Sequence, residues 1–368
     1  RPGRALHRGN LLPGRRLMGT YARVADLPLT IGGYELEAIE LPLPHFTRVS
    51  TVFHLRGAGH EGVGEDVTYE EGDQRAQLAL GPVLPLAGEW TVDTFSRHLD
   101  TLDLFPAGPP ERPPSLHYRR WAIESAALDL ALRQARLSLA AALGRELSPL
   151  TFVVSMNLGS PATVEPVERW LARDPGLRFK LDPDATWTPE LARALRATGA
   201  VATIDLKGFY VGTPVDLDPD PVLYGMLAAE LPDAWIEDAR VDERTMPALD
   251  AHLDRLTWDA PLESLTDITD LERVPVCINI KPSRFGSVRE LFSVYDHCAE
   301  NGIAAYGGGQ FELGPGRGQI QYLAALFHPD TPNDVAPAGY NNPSPPERLP
   351  GSPLEPAPSA TGFRWEAA

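Results

Sequence analysis

The sequence predicts an α/β protein, a parallel β/α barrel of TIM type preceded by a small α+β domain. Three observations carry this. Over residues 149–341, short apolar runs alternate with amphipathic runs of helical period. Successive apolar runs close on charge: Lys180 and Asp182 in RFKLD, Asp205 and Lys207 in TIDLKG, Glu237 in WIED, Asp259 in LTWDAP and Lys281 in CINIKPSR. Ahead of them, residues 30–69 alternate as strands do, and 118–143 change to helical spacing.

In chain order, the first 16 residues carry five arginines among Pro and Gly and no acid, with no apolar stretch of the kind a secretory signal needs. They read as a disordered or extended lead over 1–29, with Met18 a candidate start. ELEAIELPLP and STVFHLRGAG, followed by the glycine-rich HEGVGEDVTY, read as a small antiparallel sheet. Trp121, Ile123, Ala126, Ala127, Leu128, Leu130 and Ala131 recur at helical spacing, and neither Gly nor Pro intervenes before Gly144. A small domain therefore spans 30–148.

From there the rhythm is β then α. TFVVSMNL precedes VEPVERWLARD, LRFKL precedes TPELARALRATG, and VATIDL precedes PVLYGMLAAEL. AWIEDA precedes RTMPALDAHLDR, and LTWDA precedes only a short turn, TDITDLERV. VCINI precedes SVRELFSVYDHCAENG, IAAYGGG precedes GRGQIQYLAALF, and NDVAPAG offers a last strand. Such alternation implies a parallel sheet with right-handed crossovers. Seven or eight units favour closure into a barrel over 149–341, with an open sheet as the alternative. Residues 342–368 are Pro-rich without apolar period, an extended cover or a disordered tail.

A net charge of −17 argues against a nucleic-acid partner. No apolar run approaches the roughly 18 residues of a membrane span, so the expectation is a cytoplasmic protein, with a homo-oligomer left open. Cys277 and Cys298 match no metal or redox spacing and read as reduced and structural.

Strand ends of a parallel barrel converge on one mouth, where its active site sits. Intervals of 32, 22 and 22 residues separate Asp205, Glu237, Asp259 and Lys281, enough for one strand, one helix and two loops each. Three carboxylates there suit a hard divalent cation, and lysines beside them suit proton transfer. Lys180 and Asp182 lie two apart, so they share one face of their strand while Leu181 faces the helices. Any one of these acids alone reads as a loop or capping residue. Five consecutive strands ending in charge weigh against that, because buried charge is costly unless paired or metal-bound.

The order Lys-x-acid, Asp, Glu, Asp, Lys on successive strands resembles the enolase superfamily, in particular its muconate-lactonizing and mandelate-racemase branches. RWAIESAALDLALRQARLSLAAALG looks like the helix closing that family's capping domain, and GHEGVGED like its strand-and-loop segment. NIKPSRFGS looks like the sixth strand with its general-base lysine, and GGGQFELGPGRGQIQYLAAL like the seventh strand and its helix. The resemblance implies a modified (β/α)7β barrel with an N-terminal α+β capping domain. It implies Mg2+ held by three carboxylates, with a small-molecule carboxylate as substrate. The α-proton would leave through a metal-stabilised enediolate, giving elimination, cycloisomerisation or epimerisation. By position it makes Asp205, Glu237 and Asp259 the ligands, with Glu263 as the other choice for the third, and Lys281 the base or a cation near the enolate. It sets His45 and Phe46 toward the substrate, in a capping-domain loop; Glu312 on the seventh strand reads either as orienting substrate or as stabilising its loop.

Two positions depart from the family pattern. Asp182 stands where a second lysine is usual, and Lys207 stands where an asparagine is usual. Either a lysine has moved between neighbouring strands or Asp182 and Lys207 form an ion pair. The missing second-strand lysine also motivates a second reading, a catalytically defective relative that binds metal and a small acid. GPGRG lacks the Lys-Ser/Thr of a nucleotide-binding loop.

Overall fold

The computed structural model describes residues 19–210, 217–342 and 344–365. Of the lead expected over 1–29, residues 1–18 lie outside them, while 19–29 are ordered, with Val24 and Leu29 buried. From Gly19 the chain makes a 3-10 turn, Thr20–Arg23, and enters strand β1, Pro28–Ile31. Strands β2 (Gly33–Pro42), β3 (Thr47–Gly57) and β4 (His60–Asp66) form the antiparallel sheet expected from their alternation. β5, Gly88–Thr91, pairs antiparallel with β1.

The helix Ser115–Gln134 packs across β4, and two glycines allow it. A Cβ on Gly62 would meet the Ala126 carbonyl at 2.1 Å, and one on Gly64 the Ala122 carbonyl at 2.0 Å. The glycine-rich run is therefore a strand, flattened for helix contact. The helical period expected over 118–143 is broken. Arg136 takes φ 56, and Ser138 caps a separate short helix, Leu139–Leu143, its side chain accepting the Ala141 N–H. Leu139 N–H bonds outward to the Gly362 carbonyl, so the break is where the C-terminal segment docks.

Seven parallel strands follow: β6 (Val154–Asn157), β7 (Phe179–Asp182), β8 (Val201–Asp205), β9 (Trp235–Glu237), β10 (Leu256–Trp258), β11 (Cys277–Ile280) and β12 (Ala304–Gly307). They pair in unbroken sequence order. The last expected strand, at NDVAPAG, shrinks to single bridges: Asn333 with Phe152 beside β6, and Asp334 with Gly308 beyond β12. These bridges join the two edges of the sheet, giving a modified barrel with an α+β cap. The segment expected as one helix after β9 is a four-residue α-turn, Met246–Leu249, running into a 3-10 turn, Asp250–Arg255.

Leu181 is buried in the apolar layer under the helices, while Lys180 on its other side is buried in the barrel. Cys277 and Cys298 are free and buried. Beyond the barrel the chain runs back as an extended strap. Leu354 bridges Leu150, Phe363 is fully buried, and Arg364 pairs with Asp129 at 2.7 Å. No described helix is long and apolar enough to cross a membrane.

The cap is fastened to the barrel at the β12 loop. Glu65 accepts backbone N–H groups of Leu313, Gly314 and Gly316 at 2.6, 2.9 and 3.0 Å. Fully buried Arg48 donates to the carbonyls of Gln310 and Phe311 from the same side.

Candidate active site

Strand register builds the site. Asp205 and Glu237 are direct partners across β8 and β9, so their side chains emerge together. The chain turns sharply after each: Lys207 takes φ 54 and Asp238 φ 53, left-handed values that side chains adopt only under constraint. Lys207 is held by its N–H to Asp205 Oδ1 at 3.2 Å. Asp238 is held by its own carboxylate, whose oxygens accept the N–H groups of Asp259 and Ala260 at 2.8 and 3.0 Å. Gly208 follows because a Cβ there would meet Asp238 O and Arg240 N at 2.8 Å.

Asp205, Glu237 and Asp238 are wholly buried, with carboxylate oxygens within 4.8 Å of one another. Asp259, expected as third ligand, is not in that group. It is buried one strand further on, with Lys281 Nζ at 2.7 Å from Oδ2 and Arg284 Nε at 3.5 Å from Oδ1. Tyr210 donates to the same Oδ2 at 3.1 Å. Lys180 sits among the acids, in contact with Glu237 Oε1, 3.1 Å from Asp205 Oδ2 and 3.5 Å from Asp334. Lys207 Nζ lies 2.5 Å from the same Asp205 oxygen and 3.3 Å from Asp182. Tyr306 donates to Glu237 Oε2.

Electrostatics follow from this packing. Burial opposes charge on Lys180, but Asp205 and Glu237 outweigh it and hold the ammonium well above the usual lysine range. Lys207 is raised in the same way, by Asp205 and then Asp182 against burial. Burial would raise Asp205, yet Lys180 and Lys207 draw it far below the usual carboxylate range. Asp259 is likewise low, because Arg284 and Lys281 outweigh its burial. Glu237 and Asp238 go the other way. Burial, with Asp205 and Asp259 nearby, pushes Glu237 to about 8 despite Lys180, and Asp238 to about 7. The centre holds more carboxylates than its ammonium groups satisfy.

A cavity of about 1030 Å³ opens over this centre, lined by Phe46, Tyr118, Lys180, Lys207, Lys281 and Arg284 among others. Asp182 and Glu263 also line it; His45 does not. Glu312 is buried to the side, accepting the Gln310 N–H at 2.8 Å and lying 3.5 Å from Arg317. The structure thus gathers Lys180, Asp182, Asp205, Lys207, Glu237, Asp259 and Lys281 at one mouth, with Phe46 on the wall of the same cavity. It leaves His45 and Glu312 off the cavity wall. Asp238, Arg284, Tyr306, Tyr210 and Asp334 escaped the sequence reading. Asp238 follows Glu237 in WIED and Arg284 ends KPSR, so a charge beside an expected site residue was the available signal. The two tyrosines carried none.

The residues fit a divalent cation. Hard oxygen donors cluster, two acids are pushed upward, and buried Asp259 Oδ1 has no hydrogen-bond partner. Asp205 and Glu237 would hold the ion, with Asp238 or Asp259 beside them.

Residues 22–142 match the N-terminal and 146–342 the C-terminal domain of the family described as "Domain of unknown function (DUF8230)". An N-succinylamino acid racemase of Amycolatopsis sp is 30% identical over 226 residues, 58% of this chain and 59% of the racemase. The match thus spans about three fifths of that relative's length. A dipeptide epimerase from Methylococcus capsulatus, solved with a Mg ion, superposes with a TM-score of 0.63 at 21% identity over 86% of this chain and 92% of its own. An enolase-superfamily member from Listeria innocua gives 0.61 at 18% identity, over 84% and 86%. With the cap, the barrel and a buried acid cluster at the strand ends all in place, the chain belongs to the DUF8230 family and has the fold of the enolase-superfamily structures it superposes on.

Proposed function

We propose that this chain removes the proton α to the carboxylate of a small molecule, as a lyase or isomerase dependent on Mg2+. The observation carrying this reading is the position of Lys281, on the cavity wall and 2.7 Å from Asp259, above buried Asp205 and Glu237. Asp205, Glu237 and Asp259 hold the ion in this reading. Asp259 Oδ1 accepts no hydrogen bond and has the Arg284 guanidinium at 3.5 Å, while both oxygens of Asp238 are engaged in positioning the start of the loop after β10. Bound there, a divalent cation supplies Lewis-acid stabilisation of charge developing on the substrate carboxylate. Lys281 takes the proton from the α-carbon. Lys180 stays an ammonium and adds fixed positive charge, and Arg284 holds Asp259 while facing the cavity. Phe46 and Tyr118 border the space for the rest of the substrate and limit water there.

One-base chemistry suits this arrangement better than two. Asp182 replaces the second lysine, and Lys180 and Lys207 are held protonated by acids. The same observation favours a second reading, a relative that binds metal and acid without turnover. Proton NMR in D2O with Mg2+ and N-succinyl amino acids, the substrate type of the Amycolatopsis relative, separates the two. Wash-in of deuterium at the α-carbon supports the first. Saturable binding without wash-in over days leaves only the second.

A further inference from the structure

Lys207 stands in an unusual relation to the acid cluster. Its Nζ lies between two carboxylates, 2.5 Å from Asp205 Oδ2 and 3.3 Å from Asp182 Oδ1. The first is wholly buried, and the second is 28% exposed and faces the cavity. Asp205 Oδ2 is also 3.1 Å from Lys180, so one carboxylate oxygen serves two ammonium groups. An ion that takes this oxygen must displace at least one of them.

The two lysines are not equally held. Lys180 is 2% exposed and touches three acids, Asp205, Glu237 and Asp334. Lys207 is 17% exposed and touches two. Lys207 also has somewhere to go. Asp182 Oδ1 is buried, and the Lys207 ammonium at 3.3 Å is the one cation paired with Asp182 among the described residues. The ammonium already lies within ion-pair distance of both acids, so losing the buried one would still leave it paired to the cavity-side one.

We infer that Lys207 is a resident counter-ion of Asp205 that competes with the divalent cation, and that Asp182 receives its ammonium when the ion binds. The inference rests on the proposed reading of the cluster as a cation site. It gives the two departures from the family pattern, Asp182 and Lys207, a joint role, in which they set the affinity for the ion and need not touch the substrate. Lys207 is thus a positioning residue.

The test is calorimetric titration of the full chain with Mg2+ alone, repeated with Mn2+ by electron paramagnetic resonance, with no substrate present. Lys207→Met removes the competitor, and the affinity for both ions should rise about tenfold or more. Asp182→Asn removes the refuge, so Lys207 stays on Asp205 and affinity should fall about fivefold. The double variant should match Lys207→Met, because without the ammonium Asp182 has nothing to receive. Lys207→Gln, shorter but polar and neutral, gives a second measurement should the Met variant not fold, with thermal melting as the check on folding.

A wild-type chain that binds weakly beside a Lys207 variant that binds tightly supports the inference. Wild-type binding with Lys207 variants unchanged or weaker overturns it and leaves the proposed function standing. Independent, additive effects of the two substitutions also overturn it. No binding by any variant overturns the inference and the metal-dependent reading together.

Discussion

Lys281 and Asp259 form a buried ion pair at 2.7 Å across the ends of β11 and β10, and Arg284 lies 3.5 Å from the second oxygen of the same carboxylate. Two cations therefore share one acid, and Lys281 is the one that follows directly from a barrel strand. Pro282 opens a helical turn, Pro282–Phe285, straight after it, so the strand stops there and the lysine stem enters the cavity. Arg284 can keep Asp259 paired while the amine of Lys281 meets a substrate.

Lys281→Ala should lower α-proton exchange by about a thousandfold, within the range of general-base contributions. Mg2+ affinity should stay within a few-fold. Lys281→Arg should not rescue exchange, because a guanidinium keeps its proton. Exchange by the Ala variant at the parent rate would move the base to another group.

Asp205→Asn and Glu237→Gln should each abolish Mg2+ binding by calorimetry at concentrations that saturate the parent. The third place is decided by a pair of variants. Asp259→Asn should cost about tenfold or more in affinity, and Asp238→Asn less, since an asparagine oxygen can still accept the Asp259 N–H. The reverse order would make Asp238 the ligand, as its closeness to Asp205 and Glu237 allows.

The barrel was legible because its signal is local. Strand ends carry their charges in order, and period-two alternation put Lys180 inward and Leu181 outward, as found. The break at Arg136 was not legible, since its cause is the docking of Gly362 from the far end of the chain. The acid cluster was half legible. Asp205 and Glu237 follow from strand order. Asp238 enters because its φ of 53 swings it back toward the centre, and nothing in WIED encodes that turn. Glu312 failed to reach the cavity because the β12 loop is bound to the cap through Glu65 and Arg48, a long-range contact with no sequence period.

That seam yields a stability prediction. Glu65 is buried and accepts three backbone N–H groups, and Ser50 also donates to it at 2.7 Å. Glu65→Ala orphans these donors and should cost about 3 kcal/mol or more in denaturant unfolding. Glu65→Gln should cost less, because its oxygen still serves Gly314 and Gly316 while its NH2 group opposes the Leu313 N–H. Equal losses for the two would mean that the complete carboxylate matters and that filling the space does not.

His328 gives the last prediction, on acid stability. Its Nδ1 donates to Asn333 Oδ1 at 2.7 Å, because a carbonyl oxygen can only accept, and Nε2 then accepts from Tyr295 at 3.3 Å. The neutral ring is satisfied on both sides, and burial, only partly offset by Asn333, lowers its pKa to about 4. In the unfolded chain the value returns to about 6.5. Above that pH both states are neutral, and the contribution to stability is fully present. Between about 6.5 and 4 the unfolded chain takes up a proton that the folded chain refuses, so stability falls with pH, by about 3 kcal/mol in all. His328→Gln lacks this titration. Its unfolding free energy, measured by urea at steps from pH 7 to pH 4, should start below the parent and then converge toward it. A gap between the two that stays constant across the window would mean that His328 takes no part in the acid sensitivity.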